Sequence, residues 1–178
     1  MKSLETIQKT FKVFEVLTKV AYILCIVGAV VSGVGVLCAA VQYNGGTVFS
    51  IIGEPLKIFS DETNLLQKNV ELLAATLMLA SEAILLGLTR SYLKSELVDG
   101  TPFTEAGAKQ LQKLGIRFIW IPIAAIAVSE AIAIWQGVKS IGNIGNFGNV
   151  ITGIVLILVS LIFRYGAELE KKNNAIAS

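Results

Sequence analysis

The chain alternates long apolar runs with short polar connections. Four runs stand out: Val20–Val41, Val70–Thr89, Phe118–Gln136 and Phe147–Phe163. A helix that crosses a bilayer takes about 20 mostly apolar residues. The first three runs reach that length unaided. The fourth, around NVITGIVLILVSLIF, reaches it when extended to about residue 166, with Arg164 snorkelling at its end. A soluble helical protein carries a polar face on each helix, and these runs carry almost none. The pattern predicts an all-α integral membrane protein, a four-transmembrane-helix bundle forming one domain over 1–178, with spans at about 20–41, 70–89, 118–136 and 147–166.

The connections have patterns of their own. Before the first run, Ser3 is a fair N-cap, and Leu4, Ile7, Phe11, Phe14 and Leu17 recur at helical steps. That stripe suits a helix lying on a membrane surface, on a partner, or on its own protein. The 42–69 connection opens on the turn signal Asn44-Gly45-Gly46. It continues with VFSIIGEPLKIF, apolar but broken by Gly53 and Pro55 and too short to span, so a re-entrant or interfacial segment is expected. An echo, IGN-IGN-FGN at 141–149, reads as a turn.

The connection between the second and third runs is the most structured. It reads DGTPFTEAGAKQLQKLG over 99–115. Asp99-Gly100 ends one helix, and Pro102 keeps Thr101 extended. Thr104 caps a new helix, with Glu105 near its positive end and Phe103 packing back on the first turn. Ala108, Leu111 and Leu114 form a narrow apolar stripe among Lys109, Gln110, Gln112 and Lys113. A short amphipathic helix over 104–114 is expected at the cytoplasmic surface, with Gly115 as a bend before the third span.

Small residues line up on two spans. Gly28, Ser32, Gly35 and Ala39 form one stripe; Thr76, Ala80, Ala83 and Gly87 form another. Such stripes let helices approach closely in a membrane. They serve contacts either within one chain or across a homo-oligomer.

Charge orients the chain. The segments before span one, between spans two and three, and after span four hold twelve lysines and arginines; the other two connections hold three. The excess of positive charge on one side places both termini and the 90–117 connection in the cytoplasm of a multi-pass cell-membrane protein. Composition agrees: 54% of residues are hydrophobic and 16% charged, against about 45–50% and 25% in an average soluble domain. Net charge +2 is too small to suggest nucleic acid. Cys38-Ala39-Ala40 faintly resembles a leader cleavage site, but the apolar run is long for one, so a retained span is expected. Cys25 and Cys38 stand about 20 Å apart on that span and cannot pair with each other.

The chain holds no histidine, which removes serine–histidine nucleophiles and the usual zinc and haem ligand sets. No glycine loop for phosphate is present. The sequence therefore predicts no enzyme, no catalytic residue, no metal and no cofactor. The exceptions in the apolar runs are Glu82 in LMLASEAILL and Glu130 in IAVSEAIAI, each following a serine, Ser81 and Ser129. An acidic side chain at mid-membrane costs about 2.5–3.5 kcal/mol. Three roles fit the pair: carboxyls bonded to another helix, a proton- or cation-linked binding site, or contact with a second protein. Glu130 shares a side of its helix with Ala124, Ala127 and Ala131, so a helix contact is expected there; Glu82 is expected at a cavity or oligomer interface.

The motif DGTPFTEAGAKQLQKLG, with Gly100, Pro102, Phe103 and Thr104 at its head, resembles the central signature of a four-span bacterial and archaeal membrane family catalogued as domain of unknown function 2975. The exit from the last span, Phe163-Arg164-Tyr165-Gly166-Ala167-Glu168-Leu169-Glu170, is similar to that family's exit. The resemblance implies the four-span fold and no particular activity. Family members commonly end in an acidic tail, whereas this chain ends in Lys171-Lys172-Asn-Asn-Ala-Ile-Ala-Ser. The reading that follows is a small membrane protein acting through a protein partner, as regulator, immunity factor or subunit. The alternative is a homo-oligomeric proton- or cation-linked transporter or channel using Glu82 and Glu130.

Overall fold

The structure, a computed structural model, describes residues 2–43, 50–51, 54–55, 65–99, 104–138 and 147–177. In chain order these form α1 (Lys2–Tyr43), β1 (Ser50–Ile51), β2 (Glu54–Pro55), α2 (Leu65–Asp99), α3 (Glu105–Trp135) and α4 (Phe147–Ala177). The described residues are helical apart from the two short strands, Thr104 and 136–138. Among the described residues, four stretches are long and apolar enough to cross a membrane: Lys9–Val41, Leu65–Leu97, Glu105–Trp135 and Gly148–Leu169. The architecture is consistent with a helical bundle. Each helix outruns its apolar run, because polar residues with good helix propensity continue the backbone hydrogen bonding beyond it.

The chain divides into two compact units. The first contains Met1–Ile23, Glu82–Pro122 and Asn146–Ser178; the second contains Leu24–Ser81 and Ile123–Gly145.

In the first unit, Tyr92, Leu111 and Leu114 form a buried cluster. Leu88, Phe118, Leu156, Val159 and Phe163 pack against it. The stripe predicted at 104–114 is therefore present, with Ala108, Leu111 and Leu114 at 4% exposure or less. It is not a separate surface helix. It forms the first turns of α3, which runs without interruption from Glu105 to Trp135. The expected bend at Gly115 is absent for a physical reason. A Cβ on Gly115 would lie 2.8 Å from the Gly153 carbonyl oxygen, and one on Gly153 would lie 2.7 Å from the Gly115 carbonyl oxygen. The missing side chains let the backbones of α3 and α4 touch, so Gly115 serves a helix crossing.

The N-terminal part of α1 also departs from expectation. Phe14 and Leu17, members of the predicted stripe, are more than half exposed. The inward side is polar. Thr18 is buried and donates to the Phe14 carbonyl at 2.7 Å, and Glu15 pairs with Arg90 of α2 at 3.3 Å. One turn on, the Tyr22 ring lies 3.5 Å from where a Cβ on Gly87 would stand. The ion pair and the Gly87 notch select this face, and the apolar stripe is left outside. The side chains of Leu4 and Ile7 lie outside the described residues.

In the second unit, the Gly28–Ala39 stripe of α1 packs on α2 of the same chain. Gly28 receives Leu79 and Gly35 receives Leu72, with Leu methyls 3.1 and 3.3 Å from the positions of absent Cβ atoms. Thr76 Oγ1 lies 2.9 Å from Ser32 Oγ, and Ser32 passes its own proton to the Gly28 carbonyl. Glycines therefore accept leucines, with one hydroxyl contact between them. Ala39 is buried and Ala80 half-buried; Ala83, in the first unit, is buried as well.

α3 closes on Gly137, whose φ of 69° is left-handed. The Val138 N–H reaches the Ala133 carbonyl and the Gly137 N–H reaches that of Ile134, at 3.0 and 3.1 Å. This double bond pattern satisfies the last carbonyls of a helix, and glycine adopts it without steric cost. Within the 42–69 connection, between the end of α1 and the start of α2, Ser50–Ile51 and Glu54–Pro55 form an antiparallel pair, Ser50 opposite Pro55 and Ile51 opposite Glu54. The Asn44-Gly45-Gly46 turn and residues 141–146 of the glycine echo lie outside the described residues; residues 147–149 begin α4.

Candidate functional site

Glu82 is half-buried on α2. Its Oε1 accepts a hydrogen bond from the Asn149 amide nitrogen in the opening turns of α4. Such a partner compensates a carboxyl in an apolar run for the water it loses. Asn149 belongs to the glycine–asparagine echo that reads as a turn in the sequence; its position on α4 turns it into the partner of an acid 67 residues earlier.

Glu130 lies in the second unit. It is half-buried, with no hydrogen-bond partner among the described residues. Ala124, Ala127 and Ala131 are exposed, so the contact expected on that side is not made within the chain. The inward side of α3 instead carries Ser129 at 6% and Ala133 at 0% exposure. The smallest side chains on the neighbouring face sit inward, and Glu130 is left at its margin.

The candidate serines are engaged locally. Ser81 donates to the Met78 carbonyl and Ser129 to the Ala125 carbonyl, each at 2.7 Å. Ser160 does the same with Ile157 at 2.6 Å. Each hydroxyl thus spends its one proton on its own helix. Among the described residues no group of three His, Cys, Asp or Glu could hold a metal ion. Cys25 and Cys38 form no disulfide with each other. Of the motif residues, Gly100, Pro102 and Phe103 lie outside the described residues, and Thr104 is the N-cap of α3. Its Oγ1 accepts the Gly107 N–H at 2.9 Å.

Among the described residues, the most deeply buried acid is one that sequence reasoning passed over. Glu96, near the end of α2, is 3% exposed. Its Oε1 occupies the space where a Cβ on Gly107 would stand, and its Cδ lies 3.2 Å from that point. The carboxyl therefore rests on the first turn of α3, where the helix dipole favours negative charge. The Tyr92 ring system, one turn earlier on α2, brings its hydroxyl next to the same carboxyl. The available signal was Gly107 itself: a glycine three residues after a cap, inside a helix, costs about 1 kcal/mol against alanine unless something needs its space.

A cavity of about 240 Å³ opens beside this cluster, between α2 and α3. Leu88, Tyr92 and Leu114 give it apolar walls; Ser91, Gln110, Lys113 and Arg117 give it polar ones. The Gln110 side-chain amide lies 3.1 Å from the Ser95 hydroxyl, which is itself 2.8 Å from the Tyr92 carbonyl. No protein-family model, curated protein or solved structure matches the chain.

Proposed function

We propose that the chain is a multi-pass protein of the cell membrane, with both termini cytoplasmic, that acts through a protein partner as regulator, immunity factor or subunit and has no reaction of its own. The observation that carries this reading is the outward face of α1. Val13, Phe14, Leu17, Leu24, Val31 and Leu37 are each more than half exposed, while Glu15 and Thr18 turn inward. Lys12 and Lys19 also lie exposed near the N-terminal end of this face, but beyond Val20 the exposed large side chains are apolar, and such a face is stable where its surroundings are apolar, in lipid or against another helix. α1 is also the least covered of the four candidate spans, 6% buried over its apolar window against 22% for that of α2. That leaves it the most surface for a partner. Kinship with the four-span family of unknown function 2975 belongs to the same reading, supported by the 99–115 motif in which Thr104 and Gly107 have structural reasons to be what they are.

A photoreactive side chain at Leu24 or Val31, activated in native membranes, tests the reading. One discrete adduct with a different protein is expected. Adducts with lipid or with a second copy alone contradict it.

The Glu82–Asn149 bond favours a second reading, a homo-oligomeric proton- or cation-linked transporter or channel. That carboxyl is held by a neutral amide rather than by a cation, so no fixed positive charge in this contact competes with a transported one. Flux in liposomes distinguishes the two: Glu82→Gln and Glu130→Gln both abolish it in a transporter, and unchanged flux in both variants removes this alternative.

A further inference from the structure

We infer that the cavity between α2 and α3 is a binding site for the phosphate headgroup of an anionic phospholipid. Lys109, Lys113 and Arg117 follow one another at four-residue steps and form a row of like charge on α3. Like charges at this spacing repel. Lys109 is neutralised by Glu105 at 2.9 Å, and nearby Arg90 and Arg164 pair with Glu15 and Glu168. Lys113 and Arg117 have no carboxylate three or four residues away on their own helix, and among the described residues neither makes an ion pair. Both line the cavity. The site therefore holds two uncompensated cations, with the Ser91 hydroxyl and the Gln110 amide beside them as neutral donors. That is a donor set for a phosphate.

The volume narrows the ligand. About 240 Å³ equals the share of roughly eight waters at ~30 Å³ each. This suits a headgroup phosphate with its glycerol and falls below the roughly 300–1,000 Å³ of drug-sized ligand pockets. The surroundings favour a lipid over a free anion. Leu88 and Leu114 form apolar walls. Ile116 and Trp120, one turn beyond each cation on α3, are 44% and 65% exposed and offer an acyl chain a path away from the headgroup. An exposed tryptophan just beyond a pair of cations is the arrangement of a membrane–water interface. Basic pockets at the cytoplasmic level of membrane helices take anionic headgroups in this way. The proposal rests on the membrane reading above and is independent of the partner.

The test is lipid retention by the full chain in nanodiscs containing equal phosphatidylglycerol and phosphatidylcholine, measured by native mass spectrometry after release. The expected result is retained phosphatidylglycerol, reduced about fivefold by Lys113→Gln or Arg117→Gln and about 25-fold by both, from ~1 kcal/mol per cation near a surface. Lys109→Gln removes the same charge outside the cavity and is expected to leave retention unchanged. Lys113→Arg keeps it. Glycerophosphate at millimolar concentration, the headgroup without its chains, is expected not to displace the lipid. Equal retention of both lipids, loss with Lys109→Gln as large as with Lys113→Gln, or displacement by glycerophosphate overturns the proposal. A chain that does not enter discs at all contradicts the membrane reading and the proposal with it; one that enters without headgroup preference overturns the proposal alone.

Discussion

Gly115 and Gly153 meet backbone to backbone, each lacking a Cβ that would lie under 3 Å from the other's carbonyl oxygen. The contact joins α3 to α4 in the unit that also holds the Tyr92–Leu111–Leu114 cluster. A side chain at either position meets the opposite backbone, which cannot yield, as well as an isoleucine side chain, Ile157 at Gly115 and Ile119 at Gly153. Gly115→Ala and Gly153→Ala are expected to destabilise the protein by about 1–3 kcal/mol, the usual cost of overpacking. Gly148→Ala, with nothing within 4 Å of its Cβ position, is the matched control and is expected to be neutral or slightly stabilising. Unfolding of the purified chain in detergent measures all three, and equal effects at all three positions contradict the close crossing.

Glu96 and Gly107 make a second dependent pair. Gly107→Ala is expected to cost about 1–3 kcal/mol, because its methyl needs the space of the Glu96 carboxyl. Glu96→Ala removes the obstacle together with the anion on the α3 N-terminus. The double variant is expected to be more stable than the two single losses add up to. Strict additivity in the same unfolding experiment rules out the contact.

Much of this was legible in the sequence, and the misses share a cause. The four helices follow from runs of about 20 apolar residues, and Thr104 as N-cap follows from its place before Glu105. Gly115 was misread because a missing side chain suits a bend and a helix crossing equally, and the residue that decides between them, Gly153, lies 38 positions away. Glu96 reads as one more exposed charge at a helix end, since nothing in KSELVDG shows that the chain folds back over it. The stripe Phe11, Phe14 and Leu17 was legible as apolar, but not which side of α1 would pack, because that depends on Arg90 from another helix. Glu82 and Glu130 were conspicuous as acids in apolar runs; the partner of Glu82, Asn149, was hidden in a segment that reads as a turn.

For Glu82, the hydrogen bond to Asn149 sets a clear expectation. Glu82→Gln retains an oxygen to accept it and is expected to leave stability within about 0.5 kcal/mol. Glu82→Leu strands the Asn149 amide and is expected to cost about 1–3 kcal/mol. Adding Asn149→Leu to Glu82→Leu is expected to recover part of the loss. A Glu82→Leu variant as stable as the parent chain contradicts this bond's contribution.

The hydroxyl contact between Ser32 and Thr76 is expected to matter less. Both hydroxyls also have carbonyl partners on their own helices. Thr76→Val is expected to cost about 0.6 kcal/mol, the typical worth of one hydrogen bond between membrane helices. Gly35→Leu on the same interface has to displace Leu72 and is expected to cost more. The reverse order in detergent unfolding would mean that hydroxyls rather than close packing hold α1 on α2.

The proposed topology puts both termini and the 90–117 connection on the cytoplasmic side of the membrane. In a background of Cys25→Ala and Cys38→Ala, single cysteines at Lys109 and at Asn146 are labelled in intact cells with a membrane-impermeant maleimide. The predicted result is labelling of Asn146→Cys from outside and of Lys109→Cys only after the membrane is opened. Labelling of both from the same side would contradict it.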